Sequence, residues 1–252
     1  MPTSDMTLVD HLTELRKRVV RIAIVLTVAL AAGLALAAPV VSYLKELPPA
    51  DGLEWHALSP WDGIRVYMQF ALLFAVTTTM PFLLYQLWQF AKPGLTETEQ
   101  RATLKYIPWS ALLAALGGGF AYFLVFPFSV AFLTGLNEKM GLQETYGVLQ
   151  YFSFMFNLVL PCTLLFQLPV VIAFLSALGI VTPELLKKCR KYAYFAMVVV
   201  STMIAPPDLI SNMLVLAPFL VLFEISIWMS SAARKRKHLP IGGINHESLR
   251  TE

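Results

Sequence analysis

Six stretches of apolar residues, each bounded by charged or turn-forming segments, constrain this chain more than any other feature. They fall near residues 19–38, 61–90, 105–128, 150–178, 191–206 and 209–231. Most match or exceed the roughly 20 residues that an α-helix needs to cross a hydrocarbon core of about 30 Å. In that medium every backbone N–H and C=O must find a partner within the fold, which leaves helices or closed barrels. The runs are too long for barrel strands, so they read as helices. Charged residues make up 14% of the chain, against about 25% in soluble domains. The sequence therefore specifies an all-α integral membrane protein with six transmembrane helices. No internal repeat relates residues 1–128 to 129–252, so residues 1–252 read as one domain. Within it, 1–18 form an amphipathic N-terminal segment and 232–252 a basic tail. The first run follows Arg16, Lys17, Arg18 and Arg21, an arrangement resembling a signal peptide. Its span length, and the further spans behind it, make it a retained helix.

Charge distribution sets the orientation. Of the 19 Lys and Arg residues, Lys45, Lys139 and Arg65 fall on one side of the proposed spans, and the other sixteen fall on the opposite side. This positive-inside bias places both termini in the cytoplasm, as six spans require. The segment carrying Glu14 (His11-Leu12-Thr13-Glu14-Leu15-Arg16-Lys17-Arg18) and the one carrying Glu99 (Phe90 to Arg101) then share the cytoplasmic face.

Local signals refine the helices. Thr7-Leu8-Val9-Asp10 reads as a capping box, and Leu8, Leu12, Leu15 and Val19 follow on one helical face. Ser59-Pro60 predicts a helix start with Ser59 as N-cap and Pro60 at the first position. Thr182-Pro183-Glu184 predicts another. The second run is long enough that it must tilt, bend or protrude, with Pro81 as a bend point. Gly117-Gly118-Gly119 suits close helix approach. The fifth span, Tyr192 to Ala205, is only about 21 Å long at 1.5 Å per residue. Pro206-Pro207-Asp208 turns it directly into the sixth, so both helices of this hairpin are expected to be short. Gln167 is expected at about mid-bilayer depth, where an amide wants a partner; an interhelical hydrogen bond is the simplest one. Glu224 needs a partner or a proton if it lies deep.

No phosphate-binding glycine loop and no Gly-x-Ser-x-Gly elbow are present, and nothing argues for an enzyme or a bound cofactor. His11 and Glu14 are three apart, a weak metal pattern without a third ligand. Cys162 and Cys189 lack metal-ligand spacing and read as free thiols. The run Arg234 to Lys237 suits lipid headgroups rather than nucleic acid. Glu14 and Glu99 each have a plain structural role available: Glu14 pairs with Arg18 at i+4, and Glu99 completes a capping box with Thr96. Their chemistry also fits a guest. Carboxylates beside Trp88 and Phe90 at a membrane surface suit a guanidinium, whose planar fork donates two parallel hydrogen bonds. Arg16, Arg18 and Arg101 would hold the carboxylates ionised until a guest arrives.

The motifs around Glu14, Leu84-Tyr85-Gln86-Leu87-Trp88-Gln89-Phe90, Pro93 through Arg101, Gly179 through Glu184, Ala205-Pro206-Pro207-Asp208 and Phe223-Glu224-Ile225 occur in order on this six-span plan. Together they resemble the TatC family of the twin-arginine protein translocase over nearly the whole chain. The resemblance implies a receptor in the bacterial cytoplasmic membrane for folded cargo whose signal peptides carry two adjacent arginines. Glu14 and Glu99 would contact the arginine pair, with Arg16, Phe90, Pro93 and Arg101 in the same patch. It further implies single-span partners of the TatA and TatB type docking near the short fifth span, where Thr202, Met203 and Asn212 are the candidate contacts. Self-association in a larger complex and transport driven by the proton-motive force also follow from it. One departure stands out. The family commonly carries an intramembrane glutamate where this chain has Gln167, which can hydrogen-bond to a partner but cannot titrate. A secondary transporter of a small solute and a purely structural scaffold are the competing readings.

Overall fold

The computed structural model describes residues 8–205 and 209–237; the side chains of residues 8–12, 94, 98, 99, 102 and 232–237 lie outside that description. Thr7, the Pro206-Pro207-Asp208 turn and the tail beyond residue 237 therefore also lie outside it. Helix α1 runs unbroken from Leu8 to Lys45, so residues 8–18 and the first span form one helix. Helix α2 covers Asp62–Ala91, and the short α3 covers Glu97–Leu104. Helix α4 (Tyr106–Phe120) passes through a π-turn at Ala121–Val125 into α5 (Phe126–Lys139), making one continuous span. Helices α6 (Val148–Leu165) and α7 (Leu168–Ala177) are two halves of the next span. Helix α8 (Pro183–Lys188) leads into α9 (Arg190–Ile204) and α10 (Leu209–Lys237).

Among the described residues, five helical stretches are long and apolar enough to cross a membrane. Helix α9 supplies the sixth span with 15 residues, roughly 22 Å. It is short, as the sequence predicts. Helix α10 is longer than expected: its apolar stretch is 23 residues and the helix continues to 29. The immediate turn shortens α9 alone, because α10 extends past the apolar zone into the basic segment.

Two of the predicted helix starts, at Ser59-Pro60 and Thr182-Pro183, fare differently. Thr182 caps α8 as read, its Oγ1 accepting from the Leu185 N–H at 3.2 Å, with Pro183 at the first position. At α2 the roles are inverted. The helix begins at Asp62, and the buried Asp62 carboxylate accepts from the N–H groups of Leu58 (2.8 Å) and Ser59 (3.0 Å). An acid in the first turn that satisfies upstream N–H groups fixes the entering loop as a cap would.

The core sits around α6, where Phe152, Leu158 and Cys162 are fully buried against Val66 of α2, Phe126 of α5 and Val215 and Phe219 of α10. Close approach uses small residues. A Cβ on Gly33 would lie 2.9 Å from the Ala71 Cα, so α1 and α2 cross backbone to backbone. Helices α7 and α10 are joined by a buried Ser176–Ser230 hydroxyl bond of 2.7 Å. This is the packing style of membrane helices, where hydrocarbon tails are as apolar as leucine and association relies on contact and polar pairs.

A small cap closes the end opposite the Glu14 segment. Strand β1 (Trp55–His56) pairs in parallel with β2 (Tyr146–Gly147), and the Trp55 ring stacks on Phe152 at 5.6 Å. Glu144 ties this cap to α5. It accepts from Tyr146 at 2.5 Å, Asn137 at 2.9 Å and Thr134 at 3.3 Å. These bonds, Tyr146 first, hold the Glu144 carboxyl below its ordinary range. A depressed carboxylate contributes stability that is complete above its unfolded pKa and lost as pH falls through the folded value. The thermal midpoint in detergent should therefore show an acid-dependent loss below the ordinary carboxylate range. Tyr146→Phe should shrink that loss; an unchanged acid profile would remove Glu144 as a pH-sensitive tie.

Candidate functional site

At the end of α2 nearest the chain's N-terminal segment, Arg18 organises a polar cluster. Glu14 and Arg18 are one helical turn apart on α1, which puts them on one face. Arg18 grips a single Glu14 oxygen, Oε1, through Nε at 3.2 Å and also through Nη2. Its Nη1 donates to the Gln89 Oε1 at 3.0 Å and to the Gln86 carbonyl and Oε1, both at 3.4 Å. The guanidinium thus pins α1 to the last turns of α2. The Arg18 side chain is 11% exposed and that of Glu14 26%, so the pair is partly desolvated. The second Glu14 oxygen is outside the Arg18 contact.

A second set of contacts places α3. The buried Trp88 donates its Nε1–H to the Thr103 hydroxyl at 2.9 Å. Gln100 donates to the carbonyls of Lys92 (3.1 Å) and Leu95 (3.0 Å), stapling the Lys92–Gly94 turn. Glu99 lies within α3, four residues before Thr103. The Glu99 side chain lies outside the described residues. Between α1, α2 and α3 opens a cleft of about 610 Å³ lined by Arg18, Tyr85, Trp88, Gln89, Lys92 and Leu104. Such a cleft, with a carboxylate behind its wall and aromatic rings along it, can accommodate a cationic group.

The expected residues are not all brought together. Phe90 is half-buried at the α2 end, and Pro93 is exposed in the turn that follows. Arg101 is exposed on α3. Arg16 is not a partner of Glu14. Two residues along, it sits about 200° around the helix and instead lines a separate groove with Thr13, Lys17, Val20 and Arg21. Among the described residues Arg18 alone pairs with Glu14. Gln86 and Gln89 were missed as members of this cluster. Their i, i+3 spacing near Trp88 was visible, but nothing in the sequence aimed them at Arg18.

Gln167 makes the interhelical bond expected of it. It occupies the break between α6 and α7, is 3% exposed, and donates its amide to the Ser110 carbonyl of α4 at 3.1 Å. The interhelical bond is present, but the side chain belongs to the interior rather than to a partner-facing surface. Its Oε1 has no hydrogen-bond partner among the described residues. A carboxyl at this position would face the Ser110 carbonyl and need to keep its proton to donate. Gln167→Glu should therefore lower stability progressively as pH rises above the ordinary glutamate range near 4.3, while the parent stays flat there. Thermal unfolding in detergent across pH checks this, and a flat profile for the variant would show that the site hydrates.

On the far side of the bundle, Thr202 and Met203 are exposed on α9. The Thr202 hydroxyl is turned back onto the Val198 (3.1 Å) and Val199 (2.7 Å) carbonyls. Met203 is 80% exposed. Asn212 on α10 is half-buried with its Oδ1 unpartnered among the described residues. Glu224 found its partners: Arg190 Nη2 donates at 2.6 Å and the Tyr194 hydroxyl also donates to it. This cluster closes the base of the α9–α10 hairpin.

Comparison with known proteins places this architecture. Residues 10–218 match the sequence model of the family described as Sec-independent protein translocase protein (TatC). The chain is 45% identical over 252 residues to the Sec-independent protein translocase protein TatC of Halalkalibacterium halodurans, covering 100% of this chain and 99% of that protein. It is 44% identical over 236 residues to the protein TatCy of Bacillus subtilis, covering 94% and 93%. Two crystal structures of a twin-arginine translocase receptor TatC superpose on it. One has a TM-score of 0.74 at 33% identity, with 89% of this chain and 99% of that chain covered. The other, in detergent, has a TM-score of 0.76 at 34% identity, with 87% and 99% covered.

Proposed function

This chain belongs to the TatC family of Sec-independent protein translocase proteins, and from that premise we propose that it is a receptor that reads the paired arginines of a signal peptide at Glu14 and Glu99. The observation that carries the reading is the Glu14 carboxylate already holding a guanidinium, that of Arg18, at the wall of an open cleft. The site is built for the chemistry it is proposed to recognise. A guest arginine needs a partly desolvated carboxylate with an accessible approach, and Glu14 offers both. Glu99 on α3 supplies the second negative charge, and the Trp88–Thr103 bond fixes α3 against α2. Phe90, Pro93 and Arg101 border the same region; Arg16, on the other face of α1, is not assigned to it.

In this reading the protein is the core of a twin-arginine translocase in the bacterial cytoplasmic membrane, with both termini cytoplasmic. Small single-span partners of the TatA and TatB type dock beside α9 and the start of α10, where Met203 is exposed beside Thr202 and the Asn212 amide oxygen is unpartnered among the described residues. Several copies assemble in the working complex, and the proton-motive force drives the passage of folded cargo. The small-solute transporter left open by the sequence is not what the family describes.

A photo-reactive twin-arginine signal peptide tests the assignment. It is expected to crosslink to probes at positions 15 and 97 of the full-length protein in membranes. Probes in the opposite cap, at positions 55 and 144, are expected to stay silent. Equal labelling of both ends would remove the receptor site from this face.

A further inference from the structure

The cleft beside Glu14 already contains two cations of the chain itself. Arg18 sits on the Glu14 carboxylate, and the Lys92 ammonium lies 5.4 Å from the centroid of the Trp88 ring. We propose that the Trp88 face is a guanidinium platform and that Lys92 is its resident substitute, to be displaced when an arginine-bearing peptide enters. This rests on the receptor reading above and deepens it by adding an aromatic subsite to the carboxylates.

Three features make the ring a platform rather than filler. Its orientation is fixed, because Nε1–H is bound to Thr103 in a buried contact. Tyr85 stacks with it, centroids 6.0 Å apart at 21°, so the aromatic surface is extended. Tyr85, Trp88 and Lys92 all line the open cleft together with Arg18. A preorganised ring costs a guest little ordering entropy. Lysine is the weaker occupant. Lys92 is exposed, and an ammonium is compact, strongly hydrated and carried on a flexible stem. A guanidinium is planar, less hydrated and stacks on an aromatic face. The site thus favours arginine over lysine twice: once through the fork at the carboxylate and once through stacking on Trp88.

The experiment is a double-mutant cycle on the full-length protein in nanodiscs, with Arg-Arg and Lys-Lys versions of one signal peptide as probes. Lys92→Met removes the ammonium from the ring without touching a core contact. It is expected to tighten Arg-Arg binding by about two- to fivefold, the range of an exposed cation–π contact. The gain should be smaller for Lys-Lys, and it should vanish in a Trp88→Leu background. Trp88→Phe keeps a ring without the Thr103 bond and should retain most of the gain, which covers the case in which Trp88→Leu misfolds. An equal gain for both peptides, or a gain that survives Trp88→Leu, would mean that Lys92 acts through charge repulsion alone, and the platform is overturned. No gain at all overturns it too. Glu14→Gln in the same assay separates the two proposals: if it weakens binding while Lys92→Met changes nothing, the receptor reading stands and the platform falls.

Discussion

Glu14→Gln is expected to weaken binding of an Arg-Arg signal peptide by about 30-fold or more, and Glu99→Gln to weaken it as well, with little loss of binding to a Lys-Lys control that is already weak. The size follows from environment. Removing one partner of a desolvated, hydrogen-bonded charge pair costs on the order of 2–5 kcal/mol, whereas a fully exposed pair loses only about 0.2–1 kcal/mol. With its side chain 26% exposed and held in the α1–α2 corner, Glu14 belongs nearer the first case. Glutamine is the informative substitution. Its Oε1 still accepts from Arg18, so the clamp that joins α1 to Gln86 and Gln89 survives while the charge is lost. Alanine would also strand a mostly buried arginine and confound binding with folding. Titration of purified protein in nanodiscs decides the matter. Equal affinities of the parent for Arg-Arg and Lys-Lys peptides would end the assignment of this site.

Gly117→Leu is expected to be the most damaging single change to the fold among the three consecutive glycines of α4. A Cβ there would fall 2.8 Å from both Cβ and Cγ of Phe166 and 3.1 Å from the Thr163 Cα. Helices α4 and α6 would have to separate. Overpacking a tight core costs typically about 1–3 kcal/mol, and the displaced atoms here include backbone. Gly119→Leu serves as the control, since its Cβ meets nothing closer than Phe123 Cδ2 at 3.9 Å. The thermal midpoint in detergent should drop for the first and hold for the second. Similar midpoints would mean that the α4–α6 crossing is looser than its geometry states. The sequence already marks the triplet as a close-approach segment. It cannot say which of the three glycines touches, because that depends on the rotation of α4 about its own axis.

The same division runs through the candidate site. The Glu14–Arg18 pair was legible because i, i+4 spacing alone decides that two side chains share a helix face. The same periodicity puts Arg16 on a different face of α1 from Glu14, where it lines another groove. The roles of Gln86 and Gln89 were not legible, since they depend on how α1 crosses α2, and that crossing is set at Gly33 and Ala71, far along both helices. Asp62 shows the limit of a local signal. Ser59-Pro60 matched a capping pattern, yet the loop folds so that the acid accepts the upstream N–H groups instead.

What the sequence determined by itself is the membrane plan: six helices, the short fifth one, the segregation of basic residues and the two carboxylate segments. These follow from the cost of placing charge or unpaired backbone in hydrocarbon, a cost each segment incurs alone. What only the tertiary structure decided is which side of each helix meets another. Gln167 turns inward to Ser110, Lys92 covers Trp88, and Glu224 meets Arg190 and Tyr194. Lipid tails and helix interiors are equally apolar, so hydropathy cannot tell a lipid-facing leucine from a packed one. Close contact between small residues and a few polar pairs carries that information, and both exist only once the helices are side by side.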